Sequence, residues 1–203
     1  MRRELICGIA AFALVAGCGR TARDGRTGKP AIPAATSYGD VTTPAAEAGA
    51  IAASIHSFEH ASALLHVAHS GQITSAKLAL QRAWSPDVQR YAQRILDDHT
   101  SLDRQGEELA RYTGLAPALP DSALPELQRS ELAELARLQG SLFDREYVTQ
   151  QVQAHKRILA LVSAAQRATR NDNLQAMLST VVEPRIRAHL TEAESLASRY
   201  SAR

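Results

Sequence analysis

The stretch "SPDVQRYAQRILDDHT", residues 85–100, combines a helix start with a helical repeat. Ser85 is a predicted N-cap, and Pro86 occupies the first helical turn, where a missing backbone N–H costs little. One predicted helix face carries apolar side chains and a histidine at spacings of three and four: Val88, Ala92, Ile95, His99 and Leu102. The stretch therefore predicts a long amphipathic helix, which should end before Gly114.

Helical periodicity extends on both sides of this stretch. Residues 55–84 predict a first long helix with His69 and Gln72 on its inward face. After a loop, residues 124–138 predict a short helix, and a third long helix should start at Ser141. Asp144, three residues later, resembles the second member of a capping box. The turn at residues 170–173 precedes a fourth helix, residues 174–200, which Pro184 should kink.

Four long helices with short first and last turns favour an all-α fold. The prediction is a ferritin-like up-down-up-down four-helix bundle over residues 51–203. It has one short extra helix between the second and third long helices. No strand-like alternation competes with this interpretation.

The chain begins with "MRRELICGIAAFALVAGC", residues 1–18, which has the pattern of an export signal. The ending "LVAGC" resembles a bacterial lipobox, so residues 1–17 are a predicted signal peptide and Cys18 a predicted lipidation site. Residues 18–50 are rich in Gly, Pro, Ala and Thr and predict a flexible tether. Its end is open, because the Ala-rich stretch from Pro44 could already be helical.

The predicted signal peptide and lipidation site indicate where the protein is located and what it binds. The predicted partner is the membrane, through the lipid on Cys18, and the predicted location is the periplasmic face of the outer membrane. A soluble periplasmic protein is the alternative. The net charge of +2 gives no reason to expect nucleic acid. Both cysteines lie within the first 18 residues, so no disulfide framework is expected in the domain. Protein partners are not predicted.

The histidines of the four predicted helices should lie at one level. Residues equally distant from the predicted turns near Ser85 and Asn171 lie side by side in antiparallel hairpins. This places His69 or Gln72 beside His99, and His155 beside His189, with Glu192 one turn away.

Two interpretations of this layer remain open: a metal site between facing helices and a hydrogen-bonded layer that fixes helix register. The candidate metal ligands are His69, His99, His155, His189 and Glu192. A Glu-x-x-His pair is absent, so a metal, if bound, should be zinc or copper rather than iron. No cofactor is predicted firmly.

The pattern "HSFEH", residues 56–60, is a literal H-x-x-E-H, the signature of one zinc peptidase class. His56 and His60 share a helix face, and Glu59 lies beside them. That class needs a further carboxylate ligand and a substrate chamber, which a 21.9 kDa bundle does not easily supply. We interpret these residues as a histidine-rich start of the first helix.

Four segments carry a family resemblance: residues 71–83, 88–100, 138–159 and 181–197. Together they resemble an exported bacterial family that is described as a domain of unknown function (DUF4142). The resemblance implies a ferritin-like fold and a set of family-motif positions: Gln72, Asp98, His99, Asp144, Tyr147, His155 and His189. It implies no activity. Relatives usually carry Glu at the position of Gln72, and this departure favours the hydrogen-bonded layer over a metal.

The sequence thus supports two functional hypotheses of different classes. The first is a lipid-anchored periplasmic bundle that acts without catalysis, as a binding or envelope-stress module. The alternative is a metal-binding or oxidase-like protein that uses the histidine layer. No catalytic residue is recognisable, and an enzymatic role is left undecided, with a non-enzymatic one preferred.

Overall fold

The computed structural model describes residues 44–53, 55, 57–114 and 123–201. These residues are helical apart from short connections, and no described residue lies in a β-strand, which confirms the all-α prediction. The predicted signal peptide, Cys18 and the tether as far as residue 43 lie outside the described residues. Within the described part, no helix has the length and hydropathy required to cross a membrane.

The helices follow one another with short connections. They are α1 (Pro44–Ala53), α2 (Phe58–Arg82), α3 (Pro86–Thr113), α4 (Leu124–Leu135), α5 (Gly140–Ala168), α6 (Asp172–Met177) and α7 (Glu183–Ser201), with a π-helical turn at Leu178–Val182 between α6 and α7. The long helix α2 packs against α3 and α5, while α5 also packs against α1 and α7. The short helix α4 lies on α2 and α5.

The predicted turn between α2 and α3 is confirmed. α2 ends at Arg82, Ser85 is the N-cap of α3, and its side chain accepts a hydrogen bond from the backbone N–H of Asp87. Pro86 lies in the first turn of α3. At the other end, Gly114 adopts a left-handed conformation (φ 67°) that closes the helix, as glycine does at low cost.

The capping role predicted for Asp144 is wrong. α5 begins at Gly140 after Gln139, which makes no side-chain capping hydrogen bond. Asp144 lies on the inward face and is buried. Its carboxylate accepts hydrogen bonds from the backbone N–H groups of Trp84 (3.0 Å) and Ser85 (2.8 Å) and from the hydroxyl of Tyr200 (3.2 Å). Asp144 therefore ties α5 and α7 to the turn between α2 and α3.

The predicted fourth helix is interrupted just before Pro184. Pro184 has no N–H to donate to the carbonyl four residues earlier. The chain accommodates this with the π-helical turn, where the N–H of Glu183 bonds to the carbonyl of Leu178.

The Ala-rich stretch from Pro44, which the sequence left open between tether and helix, forms α1, and its Ile51 is buried in the core.

The apolar core consists of two clusters with a polar layer between them. One cluster, around Tyr91 and Tyr147, lies on the side of the Asp144 contacts. The other cluster, around Leu64 and Leu161, lies on the opposite side. On each of the four long helical segments, a histidine falls between the residues of the two clusters: His69, His99, His155 and His189.

Candidate metal centre

The polar layer contains four buried histidines. His69 is 5% exposed, His189 is 1% exposed, and His99 and His155 are fully buried. Each histidine comes from a different helix: α2, α3, α5 or α7. On each helix it lies on the inward face, at the same height in the bundle. The structure thus brings together the four histidines that the sequence placed in one layer.

Three of these histidines form a compact triad. The ring centroids of His99, His155 and His189 lie 5.3–5.4 Å from one another. One potential ligand atom from each ring lies within 4.8 Å of the other two. The Nε2 atoms of His99 and His155 are 3.3 Å apart. The triad therefore has the size needed to surround a single ion.

Two of the three rings are oriented by a hydrogen bond on their outer nitrogen. His155 Nδ1 lies 2.8 Å from the carbonyl oxygen of Gln151, so this nitrogen carries the proton and donates it. His189 Nε2 lies 2.8 Å from Asp98 Oδ2. With a neutral ring, Nε2 then carries the proton and Nδ1 keeps a lone pair. Among the described residues, His189 Nδ1 has no hydrogen-bond partner.

The third ring of the triad, His99, is in contact with His69. Their Nδ1 atoms are 2.9 Å apart, so one nitrogen donates to the other. When His99 donates through Nδ1, its Nε2 atom keeps a lone pair that faces His155. In this tautomer all three rings of the triad present unprotonated nitrogens to the same space.

Burial keeps these histidines neutral. Loss of hydration lowers the pKa of His69 to about 4 and that of His155 to about 3. Burial and the neighbouring histidines hold the pKa of His99 well below its ordinary value. Burial also lowers the pKa of His189, and this effect exceeds the opposing effect of Asp98. The rings are therefore neutral at pH 7, which is the form that binds a metal.

The other predicted site residues lie around this triad without joining it. Glu192 pairs with Arg94 on α3, at 2.8 Å, and is not grouped with the histidines. Gln72 is buried next to the layer. Tyr147 is buried with its ring stacked on Phe143. In the described residues, the Gln72 side-chain oxygen and the Tyr147 hydroxyl have no hydrogen-bond partner.

The "HSFEH" pattern does not form a site among the described residues. His56 lies outside them, and Glu59 is exposed at the start of α2. The described groups that could hold a metal are the triad and a second, surface group of His66, Asp103 and Glu107, neither of which includes Glu59 or His60. In the surface group, His66 Nδ1 lies 2.8 Å from Asp103 Oδ1, within hydrogen-bond distance, and the side chain of His66 is exposed.

Sequence reasoning missed two features of this region. It named Asp98 only as a family position and did not identify its bond to His189. It also missed the surface group, although Asp103 and Glu107 lie one turn apart on α3, level with His66 in the hairpin. Counting residues from the turn, which located the histidine layer, would have found this group too.

Taken together, these features define the chain as an all-helical bundle whose core contains a buried triad of neutral histidines. A family model described as a domain of unknown function (DUF4142) matches residues 41–196. The chain belongs to this family, as the motif resemblance predicted. No curated protein and no solved structure matches it.

Proposed function

We propose that the protein binds one transition-metal ion at His99, His155 and His189. The distance of 3.3 Å between His99 Nε2 and His155 Nε2 carries this proposal. Two nitrogens that each lie about 2.0 Å from one ion at a tetrahedral angle are about 3.3 Å apart. When His99 donates to His69, neither Nε2 carries a proton, because His155 holds its proton on Nδ1, and the two Nε2 atoms cannot hydrogen-bond to each other. Their separation then fits two ligands of one shared ion.

The outer hydrogen bonds of the triad support the same proposal. A histidine that ligates a metal usually donates its other N–H to a carboxylate or a backbone carbonyl. His189 has Asp98 in this position, and His155 has the carbonyl of Gln151. A layer that served only to fix helix register would also use the inner nitrogen of His189, which lacks a partner in the described structure.

The chemistry of the ligands favours zinc or copper. Imidazole nitrogen suits both ions, whereas iron sites of helical bundles rely on several carboxylates. The nearest carboxylate on α7, Glu192, is paired with Arg94, and Asp98 contacts the ring of His189. Neither is grouped with the triad as a ligand.

Metal analysis of the full chain, purified without a polyhistidine tag, tests the proposal. We expect about one zinc or copper per chain after loading and removal of loosely bound metal. His99→Ala and His155→Ala should lose this metal while circular dichroism shows retained helix. His60→Ala, a matched control at the start of the same bundle, should keep it. Equal metal in His155→Ala and in the wild type would reject the proposal. The hydrogen-bonded layer, without metal, would then stand.

We also propose that this domain is exported and anchored to the outer membrane through a lipid on Cys18. The support is the sequence "LVAGC" after a basic start and a short apolar run. In bacteria fed with labelled palmitate, the wild-type chain should carry the label in the membrane fraction. Cys18→Ser should carry none. A labelled Cys18→Ser variant would contradict the anchor, and an unlabelled wild-type chain would favour a soluble periplasmic protein.

We also propose a ferritin-like arrangement of the long helices, and two observations support it. The long segments α2, α3, α5 and α6–α7 are joined by short turns at Ser85 and Asn171. The candidate metal centre lies at mid-height among these segments, as in bundles that bind metals between facing helices. An experimental structure with a different helix connectivity would reject this arrangement.

A further inference from the structure

A cavity of about 390 Å³ lies between α2, α4 and α5, and it is lined by residues that neighbour His69 and His155 in the sequence rather than by these core histidines themselves. Its size falls in the range of about 300–1,000 Å³ that is common for small-molecule sites. The polar residues at its wall include two buried glutamines, Gln72 (5% exposed) and Gln151 (2% exposed). Ser75 also lines this cavity.

Both glutamines keep a side-chain oxygen without a partner. In the described structure, Oε1 of Gln72 and Oε1 of Gln151 are shielded from solvent and make no hydrogen bond. The Gln151 amide is oriented by Ser75, because its Nε2 donates to Ser75 Oγ (3.3 Å), and Ser75 Oγ in turn donates to the carbonyl of Gln72 (3.1 Å). Two buried acceptors without partners indicate a hydrogen-bond donor that comes from outside the protein.

Both glutamines lie about one helical turn from a histidine of the layer, on the Asp144 side. Gln72 follows His69 by three residues on α2, and Gln151 precedes His155 by four residues on α5. These separations correspond to about 4.5 Å and 6 Å along the helices. α2 runs towards the turn at Trp84, whereas α5 runs away from it. The backbone carbonyl of Gln151 also holds His155 directly.

We propose that a small ligand occupies a fourth position on the metal and donates hydrogen bonds to Gln72 Oε1 and Gln151 Oε1. A site with three histidine ligands leaves one tetrahedral position open, as in metal sites that exchange ligands. The two oxygens favour a neutral donor of the size of water and disfavour an anion. The proposal rests on the proposed metal-binding function and adds to it that the site is open.

Azide binding to the cobalt-loaded full chain tests this inference, since azide competes with water for an open position and changes the visible absorption of Co²⁺. Gln72→Leu and Gln151→Leu remove one acceptor each at nearly constant volume. We expect each variant to keep one cobalt per chain and to bind azide at least about tenfold more tightly than the wild type. Gln93→Leu, which changes an exposed glutamine on α3, should bind azide as the wild type does.

Three outcomes would overturn the inference, and they separate it from the metal proposal. Cobalt without any azide response in the wild type means a closed site. Equal azide affinities, within twofold, in the wild type and both leucine variants mean that the glutamines hold no ligand. In both cases the metal proposal survives. A wild-type chain that takes up no cobalt, zinc or copper overturns the metal proposal and this inference together.

Discussion

The Nε2 atoms of His99 on α3 and His155 on α5 face each other at 3.3 Å in the middle of the protein core. This pair lies where two apolar clusters would otherwise merge. Burying a neutral histidine lowers the free energy of unfolding unless its ring nitrogens have hydrogen-bond or metal partners. The inner nitrogen of the neighbouring His189 has none in the described structure. A bound metal would supply this missing partner and would also bind the facing nitrogens of His99 and His155.

Zinc should stabilise the protein against heat through the triad. A ligand that binds only the folded state at one hundred times its Kd adds about 2.7 kcal/mol. We therefore expect a rise of several degrees in the Tm of the wild type by differential scanning calorimetry, with copper as the second metal tested. The Tm of His155→Ala should not respond, while that of His60→Ala should rise as in the wild type. A rise of equal size in His155→Ala would place the metal elsewhere.

Asp98 should strengthen metal binding through His189. Its carboxylate accepts a hydrogen bond from His189 Nε2 at 2.8 Å, which fixes the ring and makes the other nitrogen a better ligand. Asp98→Asn should weaken zinc affinity by about 10–100-fold in competition with a coloured chelator. Asp97→Asn, a change at the exposed neighbouring residue, is the matched control and should leave the affinity unchanged. Unaltered affinity in Asp98→Asn would remove this role.

The metal-free protein should lose stability as the pH falls from 7 to 5. Burial lowers the folded-state pKa of His69 from 6.5 to about 4. Between these values the unfolded chain binds a proton that the folded chain does not, so protons favour unfolding. His155 acts in the same direction. Urea unfolding in chelator should show a decrease of at least about 2 kcal/mol. A free energy of unfolding that is equal at both pH values would contradict neutral buried histidines.

Asp144 should stabilise the fold without affecting metal content. Its carboxylate accepts two backbone N–H groups from the turn at Trp84 and Ser85 and the hydroxyl of Tyr200. Asp144→Ala should lower the free energy of unfolding by about 3 kcal/mol, because buried donors lose a charged acceptor. Asp172→Ala, at an exposed position on α6, should cost less than about 1 kcal/mol. An equal effect of the two substitutions would show that the Asp144 contacts contribute little.

Helical periodicity was enough to predict helices α2, α3, α4 and α5 of this fold. Ser85, Pro86 and Gly114 marked helix ends correctly, because capping depends on local chemistry. The role of Asp144 could not be read in this way. The pattern around Ser141 resembles a local cap, but the donors that Asp144 satisfies lie about sixty residues away along the chain. The π-helical turn before Pro184 is likewise a response of the backbone that the sequence indicated only as an irregularity.

The sequence likewise predicted part of the candidate site and not the rest. Counting residues from the turns placed His69, His99, His155 and His189 at one level, because a regular helix has a fixed rise per residue. The count could not give the direction of each ring nitrogen. The count therefore did not separate His69 from the triad. His69 contacts Nδ1 of His99, the nitrogen that faces away from His155. Nor did it show that Glu192 pairs with Arg94.

The most direct test of the metal centre is an anomalous difference map, recorded at the zinc edge, from crystals of the zinc-loaded protein. We expect one peak in the core, about 2.0–2.1 Å from a nitrogen of each of His99, His155 and His189. Crystals of the fully loaded protein that show no peak among these three rings, or a peak only at the surface group of His66, would contradict a metal site at the triad.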